Sequence, residues 1–164
     1  TFVEKNSDAV IIEVNMGYVE FGSEMVFSEL GVQTNLEIVR VGTVDVGNPH
    51  IVLQVKDLHV VEIAYFGPLI ESAWSDDGVN VHIVQVNDRA KISMLTWERG
   101  AGVTAACGSG AIASAAIAMR WDLVDSDVNV SMPGGAADIS KRETGVFLKG
   151  ESVKMSDHEV PTSG

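Results

Sequence analysis

Residues 108–120, Gly-Ser-Gly-Ala-Ile-Ala-Ser-Ala-Ala-Ile-Ala-Met-Arg, constrain the fold more than any other part of this chain. The run has the length of a helix, yet it carries small or apolar residues on every face. A surface helix would show one polar stripe. Ala111, Ala113, Ala115, Ala116 and Ala118 let neighbouring backbone approach from all sides. Such a helix has to be wrapped, and the rest of the chain reads as its wrapping. Residues 10–14, 18–21, 36–44, 51–55, 79–86, 92–97 and 128–132 read as strands, followed by a Pro133-Gly134-Gly135 turn and shorter strands near 137–139 and 146–148. A second, short helix is expected from Gly67-Pro68 to about Trp74, with the proline near its start, where a missing N–H is harmless.

The 164 residues are expected to form a single domain, large enough to bury a real core. A net charge of −12 argues against a nucleic-acid partner and against an anionic membrane surface. It does not exclude an anionic substrate, because one Arg or one helix end can oppose the global field. No stretch approaches the roughly 20 apolar residues that span a bilayer. The lone cysteine rules out an intrachain disulfide framework and a multi-cysteine zinc site, and it fits a reducing compartment.

That cysteine, Cys107, closes a loop that runs straight into the alanine-rich helix: Glu98-Arg99-Gly100-Ala101-Gly102, then Val103 to Ala106, then Cys107-Gly108-Ser109-Gly110. A thiol at a helix N-terminus is favoured as thiolate by the positive end of the helix dipole. Free N–H groups of Gly108 and Ser109 suit a carboxylate. By default a free cysteine is a small buried hydrophobe and Ser109 is a helix cap. Glu98 and Arg99 would by default make a weak exposed ion pair of about 0–1 kcal/mol. Asn48 and His50 flank Pro49 in a turn, where Asn is a common opener and His a common hydrogen-bonded neighbour of a strand. Asn80 interrupts the apolar run 79–83, so it is either hydrogen-bonded inside or faces solvent. His82 shares its face and receives no role.

Four segments in order carry a family resemblance. The run from Glu98-Arg99-Gly100-Ala101-Gly102 to Ala106-Cys107-Gly108-Ser109-Gly110 resembles an active-site motif of the diaminopimelate epimerase family. Gly47-Asn48-Pro49-His50, Gly78-Val79-Asn80-Val81 and Met132-Pro133-Gly134-Gly135 resemble three others. Val103 departs from the acidic residue usual there, and Ile112 from the small residue or Cys. The resemblance implies an α/β (α+β) fold, a curved and mostly antiparallel sheet around a central apolar helix, forming one of two pseudo-symmetric halves. It implies an isomerase that inverts an amino-acid α-carbon with two thiols on opposite faces, without cofactor or metal, in cytoplasmic lysine biosynthesis. Cys107 matches one thiol. The other lies in an N-terminal half absent from this sequence, so the site is completed by that half or by a second copy. Glu98 and His50 take catalytic roles by resemblance, and Asn48, Asn80, Glu98, Arg99, Gly108 and Ser109 bind the amino-acid substrate. The alternatives are another racemase or isomerase of the same superfamily, such as a proline-racemase-like or phenazine-biosynthesis-like protein, or an amino-acid-binding half-site that turns nothing over.

Overall fold

Alternating apolar residues become the strands of one sheet, eleven of them among the described residues, and the alanine-rich run becomes the helix they enclose. The computed structural model describes residues 2–6, 9–23, 25–74 and 77–153. The strands are β1 (Phe2–Asn6), β2 (Ala9–Asn15), β3 (Glu20–Phe21), β4 (Ile38–Asp45), β5 (Pro49–Val55) and β6 (Asn80–Asp88). Then come β7 (Lys91–Glu98), β8 (Gly102–Thr104), β9 (Asp127–Met132), β10 (Gly135–Arg142) and β11 (Gly145–Val153). Their spatial order is β1-β2-β11-β10-β9-β7-β6-β5-β4-β3, with β8 beside β7. Among the described residues only β5–β6 and β7–β9 run parallel, so the sheet is mostly antiparallel, as expected. The α-helices among the described residues are α1 (Ile63–Trp74) and α2 (Gly108–Arg120).

Period-2 alternation sorts the side chains of the central strands between two cores. Ile51, Leu53, Val81 and Ile83 pack on one face with Phe66 and Ile70 of α1. Val52, Val84, Ile92 and Met94 pack on the other, with Ala111 through Ala113, Ala115 and Ile117 of α2. Every residue of α2 from Gly110 to Ala118 is buried. The alanines are therefore a consequence of enclosure: a larger side chain on any face would meet a strand or a neighbouring loop.

Three expectations need correction. The first helix begins at Ile63, so Gly67 and Pro68 lie inside it. Gly67 is required there by contact, since a Cβ would stand 2.5 Å from Cβ and Cγ of Trp97. Pro49 and His50 open β5 instead of interrupting a strand, because the turn is made by residues 46–48, where Gly47 has φ +91°. Gly135 begins β10, leaving Pro133-Gly134 as the turn. Strands β1 and β8 and a 3-10 turn at Phe27–Leu30 have no counterpart in the sequence reading.

Candidate active site

The ends of β5, β6 and β7 meet the start of α2, and every site residue expected from the sequence lies at that junction or on the loop that enters it. Alternation turns His50 of β5, Asn80 and His82 of β6, and Thr96 of β7 toward the helix; all four are buried. With Thr43 and Ser114 they are the buried polar side chains among the described residues, and each of the four is hydrogen-bonded, as the cost of burying an unpaired polar group demands.

Cys107 itself is the N-cap of α2, with extended backbone (φ −144°, ψ 112°), and its Sγ accepts a hydrogen bond from the Gly110 N–H at 3.3 Å. Ser109 is not the cap; its Oγ lies 3.5 Å from the sulfur. The Cys107 N–H points to Met132 Sδ at 3.5 Å, and Gly134 N–H donates to Ala105 O at 2.7 Å, so the Met132–Gly134 turn braces the incoming loop. Gly100 and Gly102 sit at φ +80° and +82°, a region other residues enter at a cost, and this lets the loop turn sharply after β7.

The expectation of a stabilised thiolate is corrected by burial. Cys107 is 6% exposed, and its desolvation pushes the thiol up from its ordinary value. The Ser109 and Gly110 hydrogen bonds pull the other way without cancelling it, and the negative charge of Glu98 pushes further upward. Glu98 is half-buried at the end of β7, and its charge also reaches His50.

Asn80 resolves to the inward, satisfied alternative. Its Nδ2 donates to Pro49 O at 3.1 Å, and its Oδ1 accepts the Arg99 N–H at 3.1 Å. One amide thus ties the start of β5 to the end of β7. Arg99 makes no ion pair with Glu98; its guanidinium donates to Asp77 O at 2.8 Å and its side chain is exposed. Asn48 stands over the buried His50, its Oδ1 2.9 Å from His50 Nε2. His50 therefore meets the outside of the junction through Asn48.

His82 and Thr96 are the polar residues that the sequence reading did not assign. His82 Nε2 lies 2.8 Å from His50 Nδ1, and His82 Nδ1 lies 3.1 Å from Thr96 Oγ1. The two rings stack with centroids 5.0 Å apart. Burial pushes both imidazoles down, His50 to about 4, so both are neutral near pH 7. The available signal was a second histidine on Asn80's face, two residues on. Among the described residues no group of three or more His, Cys, Asp or Glu could hold a metal ion.

Comparison with known proteins bears on the family and on the fold. The family model for diaminopimelate epimerase matches residues 42–155. A diaminopimelate epimerase from Halothermothrix orenii is 32% identical over 161 residues, covering 90% of this chain and 56% of that protein. One from Methanothermobacter thermautotrophicus is 37% identical over 126 residues, covering 74% of this chain and 44% of that protein. The chain thus spans about half the length of these relatives. Among solved structures, a predicted epimerase from Pseudomonas aeruginosa superposes with a TM-score of 0.64 at 16% identity, covering 93% of this chain and 61% of its own. A hydroxyproline epimerase from Agrobacterium vitis gives 0.59 at 14%, covering 90% and 51%; at such identities the likeness speaks for the fold alone. By the family match and by the identity to curated relatives, the chain belongs to the diaminopimelate epimerase family, a family of isomerases.

Proposed function

We propose that this chain supplies one catalytic half of a cofactor-independent amino-acid epimerase that interconverts LL- and meso-diaminopimelate, with Cys107 as the proton-transferring group on one face of the α-carbon. The supporting observation is the setting of the sulfur: the cap of an enclosed helix, bonded to Gly110 N–H and beside the Glu98 carboxylate. Inversion by direct proton transfer needs an acid on one face and a base on the other. Burial keeps Cys107 protonated near neutral pH, so at rest it is the donor. For the reverse direction Glu98 takes the thiol proton, and the thiolate then removes the α-proton. Arg99 suits a substrate carboxylate through its planar fork. The N–H groups of Gly108 and Ser109 at the helix start suit the same anion, while Asn48 and Asn80 serve the polar ends of the substrate. His50 supports the opposite-face thiol through Asn48. That thiol comes from an N-terminal half or from a second copy related by a two-fold axis. The setting proposed is the cytoplasm, in lysine biosynthesis.

The test is α-proton exchange. The chain is incubated with diaminopimelate in deuterated water and the α-position is followed by NMR. Exchange without inversion supports a one-thiol half-site. Inversion by the chain alone supports a second copy, which sedimentation at tens of micromolar would show as a dimer. Binding without exchange, at any pH, overturns the catalytic role and leaves a binding module.

A further inference from the structure

From Thr96 to Asn48 the interior holds an unbroken line of three polar contacts, and the oxygen at each end decides where the protons sit. Both rings are neutral, so each carries one N–H and one bare nitrogen. Asn48 presents Oδ1 to His50 Nε2, so that nitrogen carries the proton and donates. His50 Nδ1 is then bare and needs a donor, and the nitrogen opposite it is His82 Nε2 at 2.8 Å. His82 Nδ1 is bare in turn, and the Thr96 hydroxyl at 3.1 Å fills it. Every contact has one donor and one acceptor, and all point the same way. Reversing the line would turn the Asn48 amide and the Thr96 hydroxyl together.

We propose that His82 is a positioning residue that sets the tautomer of His50, holding the proton on Nε2, the nitrogen that faces Asn48. Three features support this. His82 is fully buried, so no water competes for either nitrogen. It lies directly opposite Thr96 in the β6–β7 register, while His50 neighbours Asn80 in the parallel β5–β6 register, so the strands fix the spacing of all three groups. The ring is also clamped: a Cβ on Gly110 would overlap His82 Cε1 and stand 2.8 Å from Nδ1, so helix α2 leaves space for the ring and no more. That residue is the one whose N–H holds the Cys107 sulfur, and the same ring therefore seats both His50 and the thiol's donor. The inference depends on the epimerase reading only for what His50 does in catalysis; the tautomer stands without it.

Two-bond 1H–15N correlation spectra of the full chain, recorded without substrate, test the proposal. The expected pattern has a protonated Nε2 and a bare Nδ1 on both His50 and His82. His82→Phe keeps the stack and removes the donor, and His50 is expected to shift toward a mixture of tautomers. His82→Gln restores a donor and is expected to recover the original pattern. Thr96→Val, which barely changes volume, is expected to loosen the tautomer of His82 and with it that of His50, and gives the same information if His82→Phe does not fold. A wild-type His50 protonated on Nδ1, or a His50 pattern unmoved by His82→Phe (or by Thr96→Val where His82→Phe does not fold), overturns the proposal. Loss of α-proton exchange in the wild type with the pattern intact would count against the epimerase reading alone.

Discussion

The Cys107 sulfur has competing neighbours, and its chemistry depends on the balance among them. Burial and the Glu98 charge hold the proton on, while the Ser109 and Gly110 hydrogen bonds favour its release. Cys107→Ser preserves the cap to Gly110 and is expected to lower α-proton exchange by roughly 10²–10⁴-fold with the melting temperature little changed, the range typical of a lost acid–base group. Equal exchange rates in the two proteins would remove the thiol from the mechanism. The histidines give a second prediction. The unfolded chain protonates His50 near 6.5 and the folded chain only at about 4, so the unfolded state binds more protons in between. Stability is therefore full above pH about 6.5 and falls as the pH drops toward 4, by up to about 3 kcal/mol from this residue. Urea midpoints measured from pH 7.5 to 4.5 should show the decline, and His50→Leu should make it shallower, with the buried His82 keeping the remainder. Cys107, Glu98 and Asn48 were legible because each sits in a short local motif. The His50–His82–Thr96 line was not, because it depends on strand registers that no local segment encodes.

At the scale of elements, α2 was legible residue for residue, because its all-apolar composition admits only an enclosed helix. Helix α1 starts at Ile63, ahead of Gly67-Pro68, although that pair has the local signature of a beginning. Tertiary contact explains the glycine: α1 crosses β7 at Trp97, whose indole N–H also donates to Glu71 at 2.6 Å. Gly67→Ala puts a methyl into that crossing, and is expected to cost about 1–3 kcal/mol, as overpacking does elsewhere. A gain in stability, the usual result of Gly→Ala in a helix, would show that α1 does not seat on Trp97 as described. Short strand β8 has no sequence signal, because Gly102-Val103-Thr104 is too short to show alternation. Its pairing with β7 positions the loop to Cys107.

For the whole molecule, the sheet order explains how one chain of 164 residues spanning about half of its relatives can wrap a helix completely. Strand β2, near the start, is inserted beside β11, near the end, with Asn15 paired to Phe147. The Arg142 guanidinium reaches across to the Glu13 carboxylate at 2.5 Å and reinforces the seam. That seam joins residues more than a hundred positions apart, so closing it costs loop entropy before any contact repays it. Refolding is therefore expected on the millisecond-to-second scale of non-local β topologies, and stopped-flow fluorescence of the three tryptophans can measure it. During synthesis, β2 must wait unpaired on its β11 side until β11 leaves the ribosome, which makes this a stage at which the nascent chain needs protection from strand-to-strand aggregation.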